Sequence, residues 1–211
     1  MLLNSSLIGF FSELNLENRI TGVSSPEYIF SEKIHQLINE NRILNIGNEQ
    51  KYDIEKILAN QPDVIFTNYV PNFANTYEVL KNNGIEIIFL DDFMEQDPLD
   101  KSKYLLLFGK LFGKENEAKS AYQRIETNYR TIQALAKDSK SNALVLCNEM
   151  YGSQWFLPGG HSLVAKMIKD AGGNYLLKDN SESSSVPLSF EEVFIKSKKA
   201  NYWINISPHR N

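Results

Sequence analysis

Polar and aromatic side chains follow each predicted strand of this chain, at the point where the strand ends. Ligands of open parallel sheets gather at the carboxyl ends of the strands. The candidate ligand-binding residues in the first half are Ser24, Ser25, Tyr28, Asn48, Glu49, Asn68, Tyr69, Asp92 and Phe93. Those in the second half are Glu149, Tyr151, Trp155 and Ser185. Such hydroxyl, amide, carboxylate and aromatic groups can hydrogen-bond to a sizeable polar ligand and stack on it, so the set predicts binding.

Each of these residues also has an ordinary structural interpretation. Serine, asparagine and aspartate residues in loops mostly form turns, and an exposed tyrosine often marks only the edge of a packed surface. Ligand contact is therefore predicted for the set more strongly than for any single residue.

The glycine pair at 159–160 is followed by His161 and Ser162 at a predicted strand-to-helix junction. The pattern matches neither the dinucleotide fingerprint nor the phosphate loop, which need further glycines or a lysine at fixed spacing. The amides of this helix start could bind an anion. A tight turn made by two glycines is the favoured alternative.

Other catalytic patterns are weak. No serine lies in a G-x-S-x-G elbow. The three histidines are far apart in sequence, which disfavours a histidine metal site. Asp91 and Asp92 are adjacent at a predicted strand end, where neighbouring side chains point to opposite faces, and this disfavours shared acid–base work. The sequence predicts no catalytic residue, no metal site, no cofactor and no enzymatic activity.

Composition and charge restrict the class of protein. The 211 residues carry a formal net charge of −4, with acidic and basic side chains interspersed, which does not indicate a nucleic-acid surface. The single cysteine, Cys147, lies in an apolar run and is predicted to be a buried small hydrophobe. No apolar run approaches the roughly 20 residues of a membrane helix. Residues 1–14 lack a signal-peptide pattern, which predicts either a cytoplasmic protein or a targeting segment outside this sequence.

Two helices are predicted between residues 98 and 137. Asp97 and Pro98 form a helix start, and Tyr104, Leu107, Phe108 and Leu111 form an apolar stripe. Gly113 is the predicted stop, and a second helix with a one-sided 3.6-residue pattern follows. The first helix, over 98–112, would be about 22 Å long, enough to brace two small lobes. The alternative is two ordinary surface helices of one domain.

Strands and helices alternate on both sides of these helices. Strands are predicted over 20–23, 43–46, 64–66 and 85–90, and later over 143–147, 154–157, 175–177 and 202–206. Helices are predicted over 7–14, 26–39, 73–82 and 162–171, with two more after the capping residues Asp53 and Ser189. Residues 47–50 and 179–185 are predicted loops. This alternation is typical of βαβ units with a parallel sheet.

Five segments, in this order, resemble substrate-binding proteins of ABC importers, in the subgroup that handles ferric siderophores, haem and cobalamin. They are ITGVS at 20–24, YDIEKILANQPDVI at 52–65, the helical region 98–118 with FGKLFGKE at 108–115, the stretch 157–173 from LPGGHS to DAGG, and 189–204 from SFEEV to ANYWI. Each motif is moderately specific, and the order and spacing of all five carry the resemblance.

The resemblance implies a fold of two Rossmann-like α/β lobes with mainly parallel sheets, joined by a long rigid α-helix, with the ligand in the cleft between the lobes. The expected divisions are an N-terminal lobe at 1–97, the interlobe helix and the following helix at 98–138, and a C-terminal lobe at 139–211. Family members usually begin with a signal sequence or lipoprotein cysteine and an extra strand before the position of Leu7, and continue beyond that of Trp203. The second lobe is therefore expected to be truncated here, and the full-length form to lie in the periplasm or be anchored at the cell surface.

The functional hypothesis from this resemblance is the solute-binding component of an ABC import system. Its expected partners are a metal-chelate small molecule, such as a ferric siderophore or a cobalamin-like ligand, and a membrane permease. The lack of a basic cluster at the strand ends disfavours a highly anionic chelate. Two alternatives stay open: a truncated relative that binds no ligand, and an α/β enzyme with an unidentified cofactor.

Overall fold

The computed structural model describes residues 1–48, 50–138 and 142–205. The chain forms two compact units. The first unit comprises Met1–Phe93 and Tyr104–Ala121, and the second comprises Met94–Lys103 and Tyr122–Asn211. The lobe boundaries expected at 97/98 and 138/139 stay a prediction.

The first unit contains a parallel sheet and a small hairpin. Its strands are β1 (Gly22–Val23), β2 (Leu44–Asn45), β3 (Gly47–Asn48), β4 (Lys51–Tyr52), β5 (Val64–Thr67) and β6 (Glu86–Phe89). β1 pairs with β2 and β5 pairs with β6, both in parallel. β3 and β4 form an antiparallel hairpin, whereas the sequence predicted a loop over 47–50. The sequence pattern missed these strands because two residues are too few to show an alternation.

The first three residues connect the two strand pairs of this sheet. Leu2 forms parallel bridges to both Val23 and Phe66. Its amide donates to the Gly22 carbonyl at 3.0 Å, and the Leu3 amide donates to the Phe66 carbonyl at 2.9 Å. Residues 1–3 thus lie between β1 and β5 as a short parallel segment held by isolated bridges, at the place where family members are expected to have an extra strand.

The helices of residues 1–93 are α1 (Ile8–Glu13), α2 (Glu32–Asn39), α3 (Ile54–Asn60) and α4 (Ala74–Asn82). α3 begins as predicted at Asp53, whose carboxylate accepts the Lys56 amide at 3.1 Å. The core of the unit includes Ile57, Ile65, Leu80 and other apolar side chains from strands and helices.

The predicted helix over 98–112 is divided at Lys103 into α5 (Pro98–Ser102) and α6 (Tyr104–Leu111). The Ser102 hydroxyl donates to the Pro98 carbonyl at 2.8 Å. The Lys103 backbone amide donates to the backbone carbonyl of Asp100, three residues earlier, at 3.0 Å. Side-chain bonding to the preceding turn and a tightened last turn both interrupt a regular helix. The 22 Å rod is therefore replaced by two short helices.

The buried face of α6 differs from the predicted stripe. Leu105 and Phe108 are buried, whereas Leu107 and Leu111 are 38% and 48% exposed. Phe108 packs edge-on against Phe11 and Phe66, with ring centroids 5.0 and 5.3 Å apart. α6 is apolar on most sides, so sequence periodicity cannot predict which of its faces is buried. The contacts of Phe108 with Phe11 and Phe66 determine that face.

The long helix of the chain is α7 (Glu115–Asp138). It follows Gly113, which has a φ of +66° and ends the preceding helical stretch as predicted. Residues 115–121 of α7 belong to the first unit and the residues from Tyr122 on belong to the second. The periodic pattern between Ala118 and Ala136 is thus confirmed as one continuous helix.

The second unit contains two three-stranded sheets and two further helices. The elements are β7 (Leu144–Cys147), β8 (Met150–Tyr151), β9 (Gln154–Pro158), α8 (Leu163–Asp170), β10 (Asn174–Tyr175), β11 (Ser185–Leu188), α9 (Phe190–Ser197) and β12 (Tyr202–Ile204). β7 lies between β10 and β12 and is parallel to both. β9 lies between β11 and β8 and is antiparallel to both.

Two strands of the second unit were missed from the sequence. β8 is only two residues long, and β11 carries Pro187, which lowers the strand signal. Both become strands by pairing with β9, a contact between residues that the local pattern cannot reveal. The predicted last strand extends to residue 206, which lies outside the described residues.

Cys147 is fully buried in the core of the second unit, as predicted. Burial raises the pKa of its thiol to about 11. Across the described ranges, no helix has both the length and the apolar character that crossing a membrane requires.

Candidate functional site

Two predicted site residues of the first unit are buried supports of the strand ends. Ser24, directly after β1, donates its hydroxyl to the Leu3 carbonyl at 2.9 Å. Asp92 has no exposed surface and accepts hydrogen bonds from Asn4 Nδ2 at 3.2 Å and Ser6 Oγ at 2.8 Å. These contacts fix the loops at the carboxyl end of the sheet.

Ser25 and Asn48 shape the neighbouring loops. Ser25 is buried with a φ of +47°, and its amide donates to the Gly47 carbonyl at 2.9 Å. The exposed Asn48 accepts the amides of Gln50 and Lys51 on its Oδ1 at 2.9 and 3.2 Å. Both residues therefore have structural tasks in turns. Glu49, directly after Asn48, lies outside the described residues.

The residues after β5 and β6 combine a half-buried amide with exposed rings. The Asn68 carbonyl accepts the Tyr77 hydroxyl at 3.3 Å. Tyr69 is 51% exposed, with its ring against Phe89 at a centroid distance of 5.3 Å. Phe93 is 58% exposed. These rings face solvent on the edge where ligands of parallel sheets bind.

The loop after β1 adds two more aromatic side chains to this edge. Tyr28 is 64% exposed and Phe30 is 96% exposed. Tyr28 was predicted from the sequence, and Phe30 was not. The signal that could have found Phe30 is a large apolar side chain directly before Ser31, the capping residue of α2.

The second unit places Glu149, Tyr151 and Trp155 around the end of β7 and the β8–β9 hairpin, whereas Ser185 pairs with Pro158 at the other end of β9. Glu149 follows β7 and is half-buried, and Tyr151 at the hairpin is 82% exposed. Ser185 lies exposed on β11. Trp155 is only 7% exposed, and its Nε1 donates to the Cys147 carbonyl at 3.0 Å. Glu149, Tyr151 and Ser185 thus have surface available for a ligand, and most of the Trp155 ring does not.

Asn148, which directly follows β7, organises this end of the unit. It has a φ of +59°, and its Nδ2 donates to the Phe156 carbonyl at 2.7 Å. Its amide donates to the Ile204 carbonyl at 3.0 Å, and its carbonyl accepts Trp203 Nε1. One residue therefore ties the end of β7 to β9 and β12.

The glycine pair at 159–160 is a close-packed turn, the favoured interpretation of the sequence. The Gly159 amide donates to the Ser184 carbonyl and the His161 amide to the Glu182 carbonyl, each at 2.9 Å. A Cβ on Gly159 would lie 2.1 Å from the Glu182 carbonyl oxygen. Both amides are occupied by the 182–184 segment, which leaves the anion-binding alternative without these donors.

A cleft of about 500 Å³ within the second unit was not predicted. Its polar lining includes Asp97, His161 and Lys166. The Lys166 ammonium lies 3.7 Å from the Asp97 carboxylate and also donates to Asp170. Asp170 in turn accepts the Tyr129 hydroxyl at 2.7 Å. The positive charge of Lys166 is thus balanced by two carboxylates of the same unit, Asp97 and Asp170.

The Asp170 carboxyl is the titratable centre of this network. Burial by itself raises the pKa of Asp170, but hydrogen bonds from Lys166 and Tyr129 outweigh that effect and hold the pKa below its usual range. Burial and the neighbouring carboxylate raise the pKa of the Tyr129 hydroxyl. The network therefore favours an ionised Asp170 and a neutral Tyr129. The hydrogen bond between these two side chains joins α7 to α8.

The sequence model of the periplasmic binding protein family matches residues 2–207. The chain belongs to this family. The resemblance inferred from the five segments is thereby confirmed for the family. Members of the periplasmic binding protein family are substrate-binding proteins rather than enzymes.

A curated relative of this periplasmic binding protein is an uncharacterized lipoprotein of Methanocaldococcus jannaschii. The two sequences are 25% identical over 216 residues, which cover 97% of this chain and 51% of the relative. The chain thus spans about half the length of the curated relative it matches.

Solved structures with the same fold include two binding proteins. The haem-binding protein RhuT of Roseiflexus is 20% identical with a TM-score of 0.72, covering 93% of this chain and 72% of that one. The siderophore-binding protein FhuD of Vibrio cholerae, solved with Fe3+-Desferal, is 18% identical with a TM-score of 0.73, covering 98% and 77%. These similarities confirm the predicted α/β fold class with mainly parallel pairing and a long helix.

Proposed function

We propose that this chain is the solute-binding component of an ABC import system and captures a metal chelate. The observation that carries the proposal is the row of exposed rings and polar groups at the carboxyl ends of β1, β5 and β6, in a chain matched by the periplasmic binding protein family over residues 2–207. Ligands of parallel sheets bind at this edge. The importer's membrane permease is the proposed protein partner.

The proposed contacts fall into two groups. The exposed side chains of Tyr28, Tyr69, Phe93 and Tyr151 would touch the ligand directly. The buried or bonded residues Ser24, Ser25, Asp92 and Trp155, with the turn residue Asn48, would hold the loops that carry those contacts. Glu49, Asn68, Glu149 and Ser185 stay proposed polar contacts.

The proposed ligand class and location draw on the relatives. One structural neighbour is described as bound to Fe3+-Desferal, another as a haem-binding protein, and a third as bound to ferric iron with two acinetobactin molecules. The curated relative is described as a lipoprotein. We propose a chelate of this kind, including a cobalamin-like ligand, and an extracytoplasmic, membrane-anchored full-length form.

The test is titration of the purified chain with ferrioxamine B, haemin and cyanocobalamin, followed by tryptophan fluorescence and calorimetry. We expect saturable binding of at least one chelate at micromolar concentration. Tyr151→Ala should weaken that binding several-fold with an unchanged melting temperature, because the side chain is 82% exposed and makes little packing contact. Absence of binding to every chelate would favour the alternative of a relative that binds no ligand.

A further inference from the structure

Four exposed aromatic residues define what we term the aromatic edge of the first unit: Tyr28, Phe30, Tyr69 and Phe93. They follow three strands of one sheet, β1, β5 and β6, whose carboxyl ends lie on the same side. Their exposed fractions are 64%, 96%, 51% and 58%. Large apolar side chains exposed together on one edge indicate a binding surface for a partner with apolar faces.

The charges in the loops of this edge are carboxylates, and one cation lies beside it: the Lys81 ammonium is 5.4 Å from the centroid of the Phe89 ring, which packs on Tyr69. Glu27 precedes Tyr28 and is exposed, and Asp91 precedes the loop of Phe93 and is also exposed. Among the described residues of the strand-end segments 24–31, 68–73 and 90–93, the charged side chains are these two and the buried Asp92. Lys51, on β4 of the neighbouring hairpin, is the first cationic side chain after the end of β2.

We infer that the aromatic edge selects a neutral or cationic metal chelate with apolar faces and discriminates against a multiply anionic one. The inference rests on the proposed function and specifies its ligand class. Exposed rings attract apolar and cationic surfaces through contact area and their negative π faces. Carboxylates beside those rings repel an anionic ligand, and such repulsion is an effective source of specificity.

The first test compares two ferric chelates of opposite charge. Ferrioxamine B is a cationic trihydroxamate complex, and ferric enterobactin is a multiply anionic tris-catecholate complex. Calorimetry with the full chain should give a dissociation constant at least tenfold lower for ferrioxamine B. Raising the salt concentration from about 0.01 M to 0.15 M should weaken ferrioxamine B binding, because salt screens attraction between charges that are exposed to solvent.

The second test reverses the charges of the edge. The double variant Glu27→Lys/Asp91→Lys should weaken ferrioxamine B binding about two- to fivefold for each reversal, as expected for charges separated by roughly one Debye length in water. The same variant should strengthen ferric enterobactin binding. Both positions are exposed, so the fold should tolerate them, which circular dichroism checks.

Glu86→Lys is the matched control. Glu86 is an exposed carboxylate at the first residue of β6, whereas Asp91 lies two residues beyond the last residue of the same strand. The two positions are roughly 16 Å apart along the strand, about twice the Debye length in physiological salt. The control should change neither affinity by more than about the measurement error.

The outcomes separate the inference from the proposed function. Tighter binding of ferric enterobactin than of ferrioxamine B would overturn the inference and leave the binding function intact. Equal effects of Glu27→Lys/Asp91→Lys and Glu86→Lys would also overturn it. Failure of both chelates, together with haemin and cyanocobalamin, would overturn the proposed function and the inference with it.

Discussion

At the scale of single residues, close backbone packing fixes the turn before α8. Gly159 leaves no room for a side chain, since a Cβ there would meet the Glu182 carbonyl oxygen at 2.1 Å. The residue type thus follows from the approach of the 182–184 segment rather than from a ligand.

We expect Gly159→Ala to lower the free energy of unfolding by about 1–3 kcal/mol, the usual cost of forcing extra atoms into a packed site. The matched control is Gly9→Ala within α1, where a Cβ would meet nothing within 4 Å. That variant should raise stability by up to about 1 kcal/mol, because alanine restricts the unfolded chain more than glycine does. Urea unfolding measures both, and equal effects of the two substitutions would contradict the packing explanation.

Asp170 gives a pH-dependent prediction. Its pKa is lower in the folded chain than its usual value, so its contribution to stability is fully present above the unfolded pKa of about 4 and is lost as pH falls through the folded pKa. Asp170→Asn should therefore cost about 1–2 kcal/mol at pH 7, where it removes charged hydrogen bonds, and less at pH 3.

Tyr129→Phe is the control for this prediction. It removes only the hydroxyl that donates to Asp170 at 2.7 Å and leaves the carboxylate and Lys166 in place. We expect a loss of about 1 kcal/mol at pH 7. If urea unfolding gave the same loss for Asp170→Asn at both pH values, the ionised carboxylate would not be the stabilising species.

At the scale of secondary-structure elements, capping residues define where helices begin. α9 begins after Ser189, whose hydroxyl accepts the Glu192 amide at 3.2 Å, while the Glu192 carboxylate accepts the Ser189 amide at 2.8 Å. The capping position of Ser189 was predicted from the sequence and is confirmed, and the two reciprocal bonds make it a capping box.

Ser189→Ala should lower the free energy of unfolding by about 1 kcal/mol, because it leaves a helix amide without its acceptor. Ser189→Asp should retain most of the stability, since a carboxylate oxygen can accept the same bond. Thermal unfolding followed by circular dichroism compares the two. A larger loss for aspartate than for alanine would show that the side chain acts there through something other than capping.

At the scale of the whole molecule, the proposed function links ligand binding to stability. A ligand that binds only the folded chain stabilises it by about 2.7 kcal/mol at a free concentration one hundred times its dissociation constant. For a chain of this size, that free energy corresponds to a rise of several degrees in melting temperature.

We therefore expect ferrioxamine B to raise the melting temperature progressively with its concentration in differential scanning calorimetry. Metal-free desferrioxamine B, at the same concentrations, is the control for a non-specific effect of the organic ligand and should produce a smaller shift. A melting temperature that stays constant up to millimolar ferrioxamine B would contradict capture of this chelate.

The sequence by itself determined the features that depend on neighbours along the chain. The starts of α3, α5 and α9 at Asp53, Asp97 and Ser189 were predicted because a capping side chain bonds an amide two or three residues away. The alternation of strands and helices can also be read along the chain, and so can the order of the five family segments. These two patterns were sufficient to predict the fold class and the family.

Only the tertiary structure decided the features that depend on contacts between distant residues. β8 and β11 are strands because β9 pairs with them, and the rod expected over 98–112 is interrupted at Lys103. Ser24, Asp92 and Trp155 were chosen for their chemical groups, but their partners at Leu3, Asn4, Ser6 and Cys147 bury them. Burial depends on the distant partners that a side chain meets after folding, so chemical type and position at a strand end predicted the candidate site but not which members remain exposed to a ligand.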